Sequence, residues 1–252
     1  MEDRVFFTGG YDLEMQVIIS LLEQHHEHIV DNHLTWENAD ICNYQKELSL
    51  FSDCDIYAIE LRNNCHLELP PKCHLIDHHN ALSCGKSSLE QVAEILDTKL
   101  SRYELLVAAN DRGYIPAMIA LEATCKEIDT IRYLDRKAQG VTNRDEELAA
   151  LAITQKRCIG SVIVVYSETS HFSAITDRLY PYERLLIRSG FEIMYYGTGT
   201  PVLSEKFKEQ IDKGLAFYGG GMNGYFGTAS KAFNSQQLTM IENEIIKTIN
   251  SL

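Results

Sequence analysis

The chain has 252 residues, of which 45% are hydrophobic, and its 36 acidic and 23 basic side chains give a formal net charge of −13. This length and apolar content allow one large domain or two modest ones, while the acidic balance argues against capture of long duplex nucleic acid or of an anionic membrane. The seven cysteines are too sparse for a disulfide scaffold, no secretory signal begins the chain and no apolar run would cross a bilayer, so we expect a cytoplasmic protein.

The first part of the chain alternates short apolar runs with amphipathic stretches, which predicts an α/β domain with a mainly parallel sheet flanked by helices. Residues 4–7 predict a first strand and residues 12–25 a helix. Asp12 has two interpretations that stay open. Aspartate is a favoured helix N-cap, and the same position, with Glu14, would aim carboxylates out from the carboxyl edge of the sheet.

The histidines and cysteines of the next segment do not predict a metal site. Four histidines lie at uneven spacing across a helix end and a predicted short strand, namely His25, His26, His28 and His33. Two Cys-His pairs, at residues 65–66 and 73–74, flank a proline pair and lack the tight spacing of structural zinc ligands. We expect a solvated surface at the histidines and a loop that leads into the sheet at the two pairs.

Residues 55–61 predict the next clear strand, which brings Glu60 to a strand end. A further apolar run ends in Asp77, His78 and His79, followed by turn-forming residues. Ligands of open α/β sheets gather at the carboxyl ends of strands, so these polar residues are candidates for chemistry. Short motifs recur by chance, so the triplet alone is weak evidence for a functional site. Acidic residues at other strand ends provide the support.

Three further stretches predict helices: residues 88–96, 103–109 and 116–152. Asp111 lies in the turn after the second of these helices. A plain C-terminal turn would also explain this segment, since its neighbours include Asn110 and Gly113.

The alternation starts again after residues 155–160, which predicts a first domain at 1–155 and a second, smaller α/β domain at 160–252. Its predicted elements are strands at 162–166, 185–189 and 192–196 and a closing helix at 236–249. Five of the nine positions from Gly219 to Gly227 are glycine. Such a turn permits close backbone approach to an anion, although glycine turns also serve plain geometry.

In their order and spacing, the acidic positions resemble the DHH phosphoesterase superfamily, which is named for its Asp-His-His triplet. The matching positions are Asp12, Glu14, Glu60, Asp77, His78, His79 and Asp111. The C-terminal part resembles the accessory domain called DHHA1, whose signature includes a triple glycine like that at 219–221. The resemblance covers nearly the whole chain.

The resemblance implies a metal-dependent phosphoesterase acting on a small nucleotide, a cyclic dinucleotide or a short single-stranded oligonucleotide. One or two Mn²⁺ ions, with Mg²⁺ as the second choice, would be held by Asp12, Glu14, Glu60, His78 and Asp111. Asp77 and His79 are implied as catalytic groups that orient ligands or face the substrate. With the glycine turn, Arg188 would hold the distal nucleotide or phosphate, so the expected substrate contacts are Arg188, Gly219, Gly220, Gly221, Met222 and Asn223. Such relatives are often homodimers, and a homodimer is compatible with this chain.

The chain also departs from the family pattern. Thr8 stands where the family has its first histidine, Glu14 and Glu60 stand in place of aspartates, and Met222 replaces the histidine after the triple glycine. These departures weaken the site of one ion and leave a second interpretation open, a nucleotide-binding protein with reduced or lost turnover. A polyphosphate or pyrophosphate hydrolase is the third interpretation.

Overall fold

The computed structural model describes residues 4–78, 85–221 and 224–252. The chain forms two compact units, Met1–Gly140 and Val141–Leu252. Three residues with predicted roles lie outside the described residues, namely His79, Met222 and Asn223. None of the helices that the structure describes is long and apolar enough to cross a membrane.

The first unit is built on a parallel sheet, as the alternating pattern predicts. Its strands are β1 (Arg4–Phe7), β2 (His28–Val30), β3 (Asp55–Ile59) and β4 (Cys73–Ile76). β1 pairs with β2 and β3, and β3 pairs with β4, all in parallel, so the spatial order is β2-β1-β3-β4. Phe6 and Phe7 project to opposite faces and are both fully buried, so both faces of the sheet are covered.

Five α-helices accompany this sheet among the described residues: α1 (Leu13–Gln24), α2 (Gln45–Leu50), α3 (Ser88–Ile95), α4 (Arg102–Ala120) and α5 (Cys125–Ala138). Two short 3-10 helices, Trp36–Asn38 and Ile41–Tyr44, lie between β2 and α2. Helix α4 is broken at Gly113 and Tyr114, whose φ values are −160° and 57°. The turn predicted after residue 109 is therefore an interruption inside a longer helix, and Asp111 lies in the last turn before the break.

The loop between β1 and α1 packs closely on the end of β3. A Cβ atom added to Gly9 would lie 2.3 Å from the carbonyl oxygen of Glu60, so the approach requires glycine. Glu60 itself has a φ of 51°, in the left-handed region that residues other than glycine seldom adopt. The close packing holds two strand ends that carry predicted site residues side by side.

The second unit contains a mixed sheet whose described strands are β5 (Arg157–Ile159), β6 (Val162–Tyr166), β7 (Arg184–Arg188), β8 (Ile193–Gly197), β9 (Ala216–Gly219) and β10 (Tyr225–Thr228). Their spatial order is β5-β6-β7-β8-β10-β9, with β6 and β7 parallel and the other neighbours antiparallel. The helices are α6 (Asn143–Thr154), α7 (Ser173–Leu179), α8 (Thr200–Lys206), α9 (Lys208–Asp212) and α10 (Ser235–Asn250). The three predicted strands and the closing helix are confirmed.

Helix α6 belongs to the second unit. Ala149 and Ala152 pack in one buried cluster with Val165 and Phe172. The sequence pattern places the boundary after this helix, at residues 155–160, whereas the contacts of the chain divide it at Gly140. An amphipathic pattern shows which face a helix buries but not the sheet on which that face packs, so the sequence does not reveal to which unit the helix belongs.

The glycine-rich stretch forms a hairpin, because β9 and β10 pair in antiparallel fashion and Phe226 is fully buried in the core of the unit. Glycine serves the geometry of the turn at two positions. Gly220 has a φ of 76°, and a Cβ atom at Gly224 would lie 1.8 Å from the carbonyl oxygen of Gly219. Turn geometry thus accounts for these glycines, and their role in binding an anion stays a prediction.

A disulfide between Cys42 and Cys65 joins the second 3-10 helix to the turn after β3. Asp40 accepts hydrogen bonds from the backbone N–H groups of Cys42 and Asn64 beside it. Asp40 and the two sulfur atoms are also close enough together to hold a metal ion, but the sulfurs are bonded to each other. The pairing was not predicted, because cysteine connectivity does not follow from sequence spacing.

Candidate metal centre

Four side chains converge at the carboxyl edge of the first sheet. One ligand atom from each of Glu14, Glu60, His78 and Asp111 lies within 4.8 Å of the others. Glu14 follows β1, Glu60 follows β3, His78 follows β4 and Asp111 lies on α4. Parallel strands end at one edge of a sheet, which is why residues distant in the sequence meet there.

The imidazole of His78 is in contact with all three carboxyl groups. Its Nε2 atom lies 2.5 Å from Asp111 Oδ2, 3.6 Å from Glu60 Oε1 and 4.0 Å from Glu14 Oε2. Burial lowers the pKa of His78, but its hydrogen bond to Asp111 and the charges of Asp111, Glu60 and Asp77 outweigh burial and raise that pKa. A protonated ring supplies one positive charge to this acidic group.

The glutamates of the cluster are buried without enough donors to satisfy them. Glu14 and Glu60 are 2% and 4% exposed. Glu14 Oε2 and both carboxylate oxygens of Glu60 accept no hydrogen bond from the described residues. A buried acceptor left unsatisfied costs about 1–3 kcal/mol, and more when it is charged. These oxygens therefore point to a cationic ligand that is not part of the chain.

Both glutamates of the cluster resist ionisation. Burial, followed by the charges of Asp12 and Asp111, raises the pKa of Glu60 to about 8. Burial, followed by the charges of Asp111 and Glu60, raises the pKa of Glu14 well above its ordinary value. Like charges this close ionise together only when an opposite charge lies between them. A divalent cation would supply that charge.

The donor set identifies the kind of ion that fits. Three carboxylates and one imidazole suit a hard divalent cation, and the imidazole favours Mn²⁺ over Mg²⁺. The set contains no thiolate, the ligand that softer ions prefer. The residues present therefore fit a manganese or magnesium ion.

Helix α3 contributes a contact that the sequence analysis did not predict. The backbone N–H of Leu89 donates to Glu14 Oε1 over 3.1 Å, which leaves Oε2 toward His78. Ser87 and Glu90 form a capping box that starts α3 at this point. The spacing of these two residues in the sequence is the signal that would have located the helix start.

A buried polar network fixes the segment that carries Asp111. Arg132 Nη1 donates to Asn110 Oδ1 at 2.8 Å and to Asp135 Oδ2 at 2.7 Å. The guanidinium carbon also lies 4.6 Å from the centre of the Tyr114 ring. These contacts bind α5 to both sides of the break in α4. In the sequence, Arg132 and Asp135 have the spacing of an ordinary ion pair on the surface of a helix, so the buried network could not be predicted from them.

Asp12 caps helix α1. Its Oδ1 atom accepts a hydrogen bond of 2.8 Å from the backbone N–H of Met15, and the residue is 5% exposed. Burial raises the pKa of Asp12 to about 7; the hydrogen bond from Met15 opposes this rise, and the charges of Asp111 and Asp135 add to it. The N-cap interpretation is confirmed, and a role for Asp12 as a metal ligand stays a prediction.

Two further positions from the sequence analysis have defined partners. The backbone carbonyl of Asp77 accepts a hydrogen bond of 3.2 Å from Gln91 Nε2, and the charge of Asp77 contributes to the raised pKa of His78. The Thr8 hydroxyl is fully buried and donates to Asp31 Oδ1 over 2.9 Å. Thr8 is thus engaged with Asp31, and the catalytic role of Asp77 stays a prediction.

Arg188, predicted to bind substrate, pairs with helix α10 of its own unit. Its Nη1 atom donates to Glu242 Oε2 at 2.5 Å and to Thr239 Oγ1 at 3.1 Å, and Nη2 donates to the carbonyl oxygen of Ser235 at 3.1 Å. These contacts join β7 to α10, so the guanidinium has a structural role. Its role toward a substrate stays a prediction.

No protein-family model and no curated protein sequence matches the chain. Among solved structures, the chain is similar to a pGpG-specific phosphodiesterase, PggH from Vibrio cholrae, at 11% identity and a TM-score of 0.47, over 98% of this chain and 99% of that one. It is also similar to RecJ in complex with Mn²⁺ from Thermus thermophilus, at 10% identity and a TM-score of 0.49, over 100% of this chain and 52% of that one.

A third similar structure is the DHH domain of PF0399, a member of the s1p family of ribosomal proteins, at 11% identity and a TM-score of 0.43, over 93% of this chain and 73% of that one. The chain spans about half of the length of the RecJ chain. Because all three TM-scores are below 0.5, we base the proposed function on the metal centre itself.

Proposed function

We propose that the chain is a metal-dependent phosphoesterase of the DHH type that acts on a small nucleotide, a cyclic dinucleotide or a short single-stranded oligonucleotide. The observation that carries the proposal is the buried group of three carboxyl groups around His78, in which both oxygens of Glu60 accept no hydrogen bond from the described residues. Carboxylate-rich manganese and magnesium sites commonly support phosphoryl chemistry.

Glu14, Glu60, His78 and Asp111 would hold the ion, which when bound neutralises charge on phosphoryl oxygens and lowers the pKa of a coordinated water. The chain prepares this site in advance, since the N–H of Leu89 fixes one oxygen of Glu14. Metal ligands must be deprotonated. Glu14 and Glu60, whose pKa values are raised, would therefore release protons when the ion binds, and a protonated His78 would release the proton of Nε2, the nitrogen next to Asp111.

The charge of the chain favours a short substrate. With a formal net charge of −13, the chain as a whole repels a long polyanion, whereas a compact nucleotide needs neutralisation only at the metal centre. For the second unit, we keep the turn Gly219–Gly221 as the proposed substrate contact. Arg188 is the weaker candidate there, because it already pairs with Glu242.

The test is hydrolysis in Mn²⁺ of linear and cyclic dinucleotides, a short single-stranded DNA and pyrophosphate. His78→Ala is compared with His74→Ala, a matched control whose imidazole also lies near a carboxylate, Asp55 at 3.5 Å, but is 51% exposed. We expect His78→Ala to lower turnover more than about 100-fold and His74→Ala to leave it within about twofold. Equal turnover by the two variants would contradict the proposal.

The second candidate is a nucleotide-binding protein with weakened turnover. It is favoured by Thr8, which stands at the position of the family's first histidine and donates its hydroxyl to Asp31. This alternative predicts that nucleotides raise the melting temperature while no product forms with Mn²⁺ or Mg²⁺. Product formation that depends on His78 excludes it, and cleavage of pyrophosphate alone would instead favour a pyrophosphate hydrolase.

A further inference from the structure

A cavity of about 740 Å³ opens next to the start of α1. Two aromatic residues, Tyr11 and Trp36, line it together with Glu37, and the segment after α5 contributes Gln139 and Gly140. The aromatic residues are 42% and 40% exposed, respectively, so each has surface accessible to a ligand. The lining therefore combines flat π faces with one carboxylate.

The position of Trp36 is fixed by its neighbours. The indole lies against Gly10, where an added Cβ atom would come within 2.9 Å of the indole Cδ2 atom. The guanidinium of Arg62 donates to the carbonyl oxygens of Trp36 and Glu37 at 2.9 and 2.7 Å, which anchors the backbone of this segment. A side chain that is already ordered loses little entropy when a ligand stacks on it.

The cavity lies close to Asp12, a predicted metal ligand. Tyr11 precedes Asp12 in the chain, so their Cα atoms are about 3.8 Å apart. At the other wall, Gln139 Nε2 donates to Asp135 Oδ1 over 3.2 Å, and the charge of Asp135 acts on Asp12. Both walls therefore lie near Asp12, whose charge also acts on Glu60 of the proposed metal centre.

We infer that this cavity binds a nucleobase of the substrate, stacked on Trp36 and Tyr11, with the adjoining phosphate at the metal centre. The inference rests on the proposed function and explains how the site distinguishes nucleotides from other phosphate esters. Every base has a π face, so stacking on aromatic side chains tolerates any base. Pyrophosphate and sugar phosphates have no such face and gain nothing from the cavity.

Glu37 gives the cavity a preference among bases. An ionised carboxylate only accepts hydrogen bonds, so it favours a base edge that carries amino donors. Guanine offers two adjacent N–H donors, whereas the single N–H of uracil lies between two carbonyl oxygens, which a carboxylate repels. Guanine is therefore expected to bind most tightly and uracil least tightly.

Trp36 is the sole tryptophan of the sequence, so intrinsic tryptophan fluorescence reports directly on this cavity. The experiment titrates GMP, UMP and ribose 5-phosphate into the wild-type protein in the presence of Mg²⁺. We expect saturable quenching by GMP, weaker binding of UMP and no quenching by ribose 5-phosphate. Quenching by ribose 5-phosphate equal to that by GMP, or no quenching by any of the three, overturns the inference.

Calorimetry of GMP binding tests the residues one by one. Trp36→Ala is expected to lower the affinity roughly 10- to 100-fold, the range for loss of one base–aromatic stack, while Trp36→Phe stays within about threefold because a ring remains. Tyr133→Ala is the matched control, since Tyr133 is 44% exposed on α5 and does not line the cavity. Glu37→Gln is expected to reduce the difference between the affinities for GMP and UMP. Unchanged GMP affinity in Trp36→Ala contradicts the inference.

These readouts separate the inference from the proposed function. Fluorescence and calorimetry measure the binding of GMP and require no turnover, and an assay for released phosphate in the same samples verifies that GMP stays intact. Base binding without hydrolysis of any substrate would refute the phosphoesterase and leave the base site standing. Hydrolysis without any fluorescence change would refute the base site and leave the phosphoesterase standing.

Discussion

Two buried glutamates, one in each unit, differ in whether the chain itself neutralises them. Glu60 and Glu242 are both 4% exposed. Glu242 accepts hydrogen bonds of 2.5 Å on both oxygens, from Tyr166 and from Arg188. Glu60 accepts none from the described residues, and His78 Nε2 lies 3.6 Å away. The two glutamates are equally buried, but Glu242 is a carboxylate that the chain pairs and that supports the fold, whereas Glu60 is a carboxyl group that resists ionisation unless a cation binds.

The largest expected effect follows from replacing Glu60 by glutamine. Glu60→Gln removes a proposed metal ligand, and we expect turnover in Mn²⁺ to fall more than about 100-fold. The same change removes a buried carboxyl group that resists ionisation, so the metal-free protein should become more stable at pH 8, as measured by urea unfolding. A metal-free variant that is less stable than the wild type would contradict the view that the chain itself does not neutralise Glu60.

The corresponding substitution in the second unit should lower the stability of the protein, whereas Glu60→Gln should raise it. Glu242→Gln leaves the largely buried guanidinium of Arg188 without its carboxylate, and removal of one partner of a buried ion pair typically costs about 3 kcal/mol or more. We expect the free energy of unfolding, measured with urea, to fall by that amount, with the slope of the transition unchanged. Equal stability of this variant and the wild type would show that Glu242 is not the structural charge described above.

The next effect is on the stability of the metal-free protein, which should depend on pH. In the folded state the pKa of Glu60 is raised from 4.5 to about 8 and that of Asp12 from 3.8 to about 7. A raised carboxyl pKa contributes stability that is fully present below the ordinary pKa and is lost as the pH rises through the raised value. The melting temperature of the metal-free protein should therefore fall by about 5 °C or more between pH 5 and pH 8.5.

Addition of Mn²⁺ sharpens this result. A cation at 100 times its dissociation constant adds about 2.7 kcal/mol of stability, so saturating Mn²⁺ should raise the melting temperature at pH 8 by about 5–10 °C. At pH 5 the protons compete with the ion, and the shift should be smaller. A shift of the same size at both pH values would mean that the ion binds elsewhere.

The smallest structural effect is expected at Asp12. Asparagine caps helices as well as aspartate does, so Asp12→Asn should change the free energy of unfolding by less than about 0.5 kcal/mol. If Asp12 also serves the proposed metal centre, turnover in Mn²⁺ falls about 10-fold even though the fold is unchanged. Unchanged turnover would limit Asp12 to its role as the N-cap.

Much of the first unit could be predicted because its signals are local and follow one rule. Glu14, Glu60 and His78 each follow an apolar run, and the carboxyl ends of parallel strands meet at one edge. Asp111 was singled out as an acidic residue directly after an apolar helix and by the family resemblance, although the turn predicted there is a break inside α4. For Glu14, Glu60 and His78 the sequence shows both the residue and the element that positions it.

The remaining features depend on partners that no local pattern reveals. The N–H of Leu89 contacts Glu14 only because α3 starts beside α1, and the donors of Arg132 point inward although its spacing is that of a surface pair. The disulfide between Cys42 and Cys65 is set by the fold of the segments around it. The hairpin of β9 and β10 was not predicted, because the many glycines between and within these short strands obscure the alternating pattern of a strand.

The backbone of Glu60 has a consequence for how position 60 can change. A φ of 51° costs a residue with a Cβ atom about 1–2 kcal/mol, and glycine or asparagine would relieve that cost. Selection for stability alone would therefore replace this glutamate by glycine or asparagine. A related protein that no longer bound the cation could accept that replacement, so the residue at position 60 indicates whether the cation is still bound.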